Sequence, residues 1–105
     1  MSYKIKIYSD EKEKEPFTQW LEKLSKIDRA RIKVRLDRIR QGNLGDFKNL
    51  NEISEFRFNF SSGYRIYFTI TENVIVLLLA GGNKKTQIKD IEKAKMYKQD
   101  YINRS

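Results

Sequence analysis

At 105 residues, with 22 Lys+Arg against 14 Asp+Glu and a formal charge of +8, the chain has room for one hydrophobic core and is read as a single domain spanning residues 1–105. It contains neither cysteine nor histidine, which excludes disulfide frameworks, thiol nucleophiles, Ser-His-Asp hydrolysis and most zinc sites. Any catalysis has to run on Lys, Arg, Tyr and carboxylates, and the positive field favours nucleic acid, acidic proteins or anionic surfaces as partners. No apolar run approaches the roughly 18 residues of a membrane span, and MSYKIKIYSD lacks the apolar core of a signal peptide, so a soluble cytoplasmic protein with no membrane partner is expected.

Tyr3, Ile5 and Ile7 alternate with Lys4 and Lys6, the pattern of an edge strand guarded by lysines. Asp10 to Glu15 is a charged connection, and Pro16 suits the first turn of a helix with Phe17, Trp20, Leu21 and Leu24 on its buried stripe. Asp28 suits the N-cap of a second helix carrying Ile32, Leu36 and Ile39 and closed by Gly42, which completes a helical hairpin. Five of the eight arginines lie between Arg29 and Arg40. Of these, Arg31, Arg35 and Arg38 fall at i, i+4 and i+7 and form a ridge. It suits phosphate-backbone contact, which adds affinity without base choice; the alternative is a solvated face balanced by Asp28 and Asp37. Gln41 to Ile53 has the Gly, Asn and Asp content of a loop.

The stretch Glu55 to Lys85 is the most informative. Side chains alternate along a strand, so Phe56, Phe58 and Phe60 share one face while Glu55, Arg57 and Asn59 share the other. After a Ser61-Ser62-Gly63 turn, Tyr64, Ile66, Phe68 and Ile70 alternate with Arg65, Tyr67 and Thr69. Pairing the apolar faces inward gathers Arg57, Asn59, Arg65 and Tyr67 on an open face, where guanidiniums suit bidentate contact with phosphate. The competing reading is a solvated polar face with its arginines paired to a neighbouring Glu. Val74 to Ala80 is apolar without alternation, as in a strand covered on both sides, and Gly81-Gly82-Asn83 ends it. From Thr86, Ile88, Ile91, Ala94 or Lys95, Tyr97 and Tyr101 recur at helical spacing, predicting a closing amphipathic helix.

The order strand, two helices, three strands, helix resembles the RelE/HigB-type toxins of bacterial type II toxin–antitoxin modules, within the RelE/ParE superfamily and nearest the addiction-module killer protein group. The resemblance rests on Phe17-Thr18-Gln19-Trp20-Leu21, the run Arg38 to Asp46, Glu55-Phe56-Arg57-Phe58, Gly63-Tyr64-Arg65-Ile66-Tyr67-Phe68, and Leu77 to Lys84 followed by Asp90-Ile91. It implies an α+β fold: one RelE-like domain whose mostly antiparallel twisted sheet is packed by an N-terminal helical hairpin and a C-terminal helix.

The activity it implies is ribosome-dependent mRNA cleavage without a metal or cofactor, in which a ribose 2′-OH attacks the adjacent phosphate. Products are a 2′,3′-cyclic phosphate and a 5′-OH. By motif, Arg65 corresponds to the strand arginine at the scissile phosphate, Arg57 to a basic residue on the preceding strand, and Lys84, with Lys85 beside it, to a second phosphate-binding cation. Tyr67 and Asp90 complete the implied catalytic set; Arg31, Arg35, Arg38, Lys85 and Asn59 are the expected RNA or ribosome contacts. Implied partners are the ribosome with its message and a cognate antitoxin carrying a helix-turn-helix domain, through which the complex binds promoter DNA. The alternatives are a ParE-like DNA gyrase inhibitor and a non-catalytic basic RNA- or ribosome-binding module.

Overall fold

A computed structural model describes residues 2–104. The elements are β1 (Lys4–Ile7), α1 (Pro16–Glu22), α2 (Lys26–Arg40), β2 (Phe47–Asn49), β3 (Ser54–Arg57), β4 (Arg65–Thr71), β5 (Ile75–Gly82), a 3-10 turn (Lys84–Thr86) and α3 (Gln87–Arg104). They form one sheet in the order β1-β5-β4-β3-β2, antiparallel throughout except for the parallel β1–β5 pair. The expected α+β architecture is present with one addition. Phe47–Asn49, inside the segment read as a loop, pairs with Ser54–Phe56 as a fifth, edge strand.

Because β5 lies between two neighbours and under helices on both faces, Val76, Leu77, Leu78 and Leu79 are completely buried, which explains a run without alternation. On one face α1 and α2 cover Phe56, Phe58, Ile66, Phe68, Val76 and Leu78. On the other, α3 covers Tyr67, Leu77, Leu79 and Ala80 and closes in on them at the fully buried Ala94. The helix is fixed further by Tyr97, stacked 5.0 Å from Tyr8, and by Asp100, which accepts a 2.6 Å hydrogen bond from the Tyr8 hydroxyl. Ile88, expected on the buried stripe, is instead 78% exposed, because the helix meets the sheet through Ile91, Ala94 and Tyr97.

The α2 N-cap is Ser25, whose hydroxyl accepts from the Asp28 amide, and not Asp28 as its position suggested. Asp28 is used across the fold: its Oδ2 accepts from Tyr64 Oη at 2.7 Å and from Ser61 Oγ at 2.9 Å, tying α2 to the β3–β4 connection. Those hydrogen bonds, the tyrosine's first, hold its carboxyl below the usual range. The connection itself is longer than a tight hairpin. β3 ends at Arg57 and β4 begins at Arg65, with Phe58 N donating to Tyr64 O and Gly63 N to Phe60 O.

A bulge on β5 shifts the β4–β5 register between Tyr67 and Phe68, leaving Leu79 without an opposite residue. Beyond it Gly81 faces Ile66 and Gly82 faces Arg65. The two glycines therefore look to opposite sides of the sheet. A Cβ on Gly81 would lie 2.2 Å from the Trp20 ring, and one on Gly82 would lie 1.8 Å from Asp90 Oδ2. Trp20 and Asp90 occupy the space that side chains would need.

Two outcomes follow. Gly81→Ala pushes the half-buried Trp20 out of place and should destabilise the domain by about 1–3 kcal/mol in urea unfolding. Asp28 has a lowered folded pKa, so its contribution is present above the ordinary carboxylate value of about 4 and lost as pH falls through the folded value. Urea midpoints recorded between pH 7 and pH 2 should fall more steeply for the parent than for Asp28→Asn, which starts lower at pH 7.

Candidate functional site

The polar side of the β3–β4 pair brings the expected arginines together in register: Arg57 opposes Arg65, and Glu55 opposes Tyr67. That face is not open, however. The start of α3 covers it, leaving Tyr67 and Glu55 fully buried and Arg65 only 9% exposed. Amphipathic alternation along a strand marks two faces but does not say which one a later helix will cover.

Burying these groups demands partners. Glu55 Oε2 accepts from Arg57 Nε at 3.0 Å, and Oε1 accepts from Gln87 Nε2, at the first position of α3, at 3.1 Å. The carboxylate is thus held by one cation and one amide and fixes the half-exposed Arg57. Arg65 Nη1 donates to the carbonyls of Gly63 and Tyr64, both at 3.1 Å. Its Nε and the Tyr67 hydroxyl are buried without a hydrogen-bond partner among the described residues. Burial, with the Glu55 and Asp90 carboxylates adding to it and Arg65 opposing, pushes the Tyr67 phenol well above the usual tyrosine range. It remains protonated, a donor, throughout the neutral range.

Asp90 closes this site from the helix side. It sits over bare Gly82, directly across from Arg65, and its Oδ2 accepts from Thr86 Oγ1. Thr86 belongs to the tight turn that Asn83 caps, the Asn83 Oδ1 accepting from the Lys85 and Thr86 amides. This turn delivers Lys84 across the Gly63 corner, where its side chain would pack at 3.3 Å against a Cβ on Gly63. A cleft of about 380 Å³ opens there, lined by Phe58, Asn59, Ser61, Ser62, Gly63 and Lys84. Lys85 is exposed beside it. No group of three or more carboxylates able to hold a metal ion occurs among the described residues.

The structure brings Arg57, Arg65, Tyr67, Lys84 and Asp90 to one end of the sheet, with Asn59 and Lys85 at its rim. The α2 ridge lies apart. Arg35 is withdrawn from it: the guanidinium stacks 5.0 Å from Phe58 and donates to the carbonyls of Leu44, Asp46 and Arg57, pinning the 44–46 loop to β3. Arg31 lies 4.9 Å over the Phe60 ring, and Arg38 is exposed. Glu55 and Gln87 are members of the site that residue type alone did not single out. The signal for Glu55 was its cross-strand register with Tyr67; Gln87 lies outside the strand pattern altogether.

The phage-derived protein Gp49-like family (DUF891) matches residues 19–101. An uncharacterized protein of Haemophilus influenzae is 43% identical over 86 residues, 80% of this chain and 87% of that one. Among solved structures, a mutant of the E. coli toxin RelE in the free state superposes with a TM-score of 0.58 at 19% identity, covering 88% of this chain and 97% of that one. At that identity the likeness is one of fold. Among the described residues no helix is long and apolar enough to cross a membrane. The chain belongs to the Gp49-like family, and its sheet, helices and single compact domain are those of the RelE fold.

Proposed function

We propose that the protein is the toxin of a toxin–antitoxin module and cuts mRNA on the ribosome, using the α3-covered end of β4 as its active site. The observation that carries the reading is the pairing of Arg57 with Arg65 across β3 and β4, with exposed Lys84 at the adjoining Gly63 corner. Cations gathered at one corner of a sheet make an anionic phosphate the natural ligand.

In the proposed reaction the O2′–P bond forms as the P–O5′ bond breaks. The 2′ proton passes to Asp90, which keeps one carboxylate oxygen free of the Thr86 bond and faces Arg65 across Gly82. Arg65 and Lys84 stabilise the added charge on the phosphorane, where preorganised donors act most strongly. Substrate binding has to lift the start of α3 from the Tyr67 phenol, which burial holds protonated, before that phenol can donate to the departing O5′. Glu55 acts through Arg57, orienting its guanidinium toward the same phosphate. Asn59 and Lys85, at the rim, contact flanking phosphates. Toxicity then requires a cognate antitoxin, and the resemblance to known modules favours one with its own DNA-binding domain.

Primer extension on a defined message in a reconstituted bacterial translation reaction tests this. Cuts within codons that need ribosomes are expected, with Arg65→Ala slower by about 10²-fold or more and Tyr67→Phe and Asp90→Asn slower by about 10²–10⁴-fold. Glu55→Gln should slow cutting while leaving binding to ribosomes near the parent's. A message left intact by the folded parent overturns the reading in favour of gyrase inhibition or simple binding.

A further inference from the structure

β1 pairs with β5 only as far as the Ile7–Leu78 register, so the last part of β5 has no strand on that flank. A groove of about 240 Å³ opens there, floored by Ala80 and Gly81 and walled by α1 on one side and α3 on the other. α1 contributes Gln19, Trp20 and Lys23. α3 contributes Asp90, Lys93 and Tyr97, spaced i, i+3 and i+7 so that all three share one helix face. Because Gly81 turns to the Trp20 side of the sheet and Gly82 to the Asp90 side, this flank connects the two faces. Asp90 thus belongs to the groove and to the cluster around Arg65 alike.

The groove is too small for a helix and has room for one flat ring. Its chemistry is mixed in the way a nucleobase requires. Trp20 and Tyr97, both half-buried, offer ring surface to a flat heterocycle. The exposed Gln19 amide carries one donor group and one acceptor, the combination that reads the edge of a base. Lys23 and Lys93 are exposed and have no ion-pair partner among the described residues, which leaves them for phosphates flanking the base. A lone anion would satisfy the lysines, but it would face the Asp90 carboxylate and leave the rings and the amide unused.

We infer that the groove between α1 and α3 is a nucleobase pocket in which Gln19 sets the base preference. On the proposed cutting reaction, on which this step rests, Asp90 takes the 2′ proton, so the occupant is the base of the nucleotide immediately 5′ of the scissile phosphate. Gln19, Lys23 and Lys93 are exposed with α3 in place, so the pocket accepts a base before the helix moves.

Trp20 is the chain's only tryptophan, so its indole N–H gives a single NMR signal at the pocket. The full chain is titrated with the four nucleoside 3′-monophosphates and with inorganic phosphate, beside Gln19→Ala, whose backbone amide spectrum verifies its fold. A saturable Trp20 shift is expected with nucleotides and none with phosphate. Affinities should differ by about fivefold or more among the four bases in the parent and by less than about twofold in Gln19→Ala. A Trp20 signal unmoved by every nucleotide overturns the proposal, as does a shift that phosphate reproduces, which would make the groove an anion site. A base preference absent from the parent, or unchanged in Gln19→Ala, overturns it too. Message cutting on ribosomes is recorded alongside. Base-selective binding by a parent that cuts nothing would refute the proposed activity and leave the pocket standing, whereas cutting with an unmoved Trp20 signal would do the reverse.

Discussion

Two bare backbone positions, Gly81 and Gly82, are the constraint on which the rest of the site depends. They end β5, the strand covered on both faces, and alternation along it turns one to each side of the sheet. Gly81 lets the Trp20 ring lie on the backbone, which seats α1; Gly82 lets Asp90 do the same, which seats the start of α3 opposite Arg65. A side chain at either place would hold a helix off the sheet. The dipeptide looks like an ordinary strand exit in the sequence, yet it sets the thickness of the molecule at the point where the charged residues meet.

The second controlling feature is the burial of charge beneath α3. Glu55 loses its water entirely and is compensated from two directions, by Arg57 on its own strand and by Gln87 on the helix. An unpaired carboxylate there would be strongly unfavourable, so helix docking and arginine orientation are coupled. The same cover raises the Tyr67 phenol out of the titrating range and leaves two donors without acceptors. Structure and proposed chemistry meet at that point: stability would be served by filling those donors, and on the proposed reading an anionic substrate would fill them once α3 gives access.

Much of this was legible in the residues. Alternation located the strands, the unbroken apolar run identified the doubly covered one, and cross-strand pairing predicted the Arg57–Arg65 juxtaposition. Three features were not. The polar face was read as open because periodicity separates two faces without saying whether solvent or a helix lies on each. β2 is only three exposed residues held by its partner strand, too short to leave a pattern. The Arg31, Arg35 and Arg38 ridge had the right helical spacing, but a loop folding back over Arg35 took that residue out of it.

The central claim is that this buried cluster drives attack by the ribose 2′ oxygen on the neighbouring phosphate. The most direct measurement is single-turnover cutting of a programmed ribosome whose message carries one 2′-deoxynucleotide immediately 5′ of the scissile phosphate. The account predicts that this single oxygen deletion abolishes cutting there, while the all-ribose message yields a 2′,3′-cyclic phosphate and a 5′-OH. Cutting at an undiminished rate on the deoxy-substituted message would contradict it.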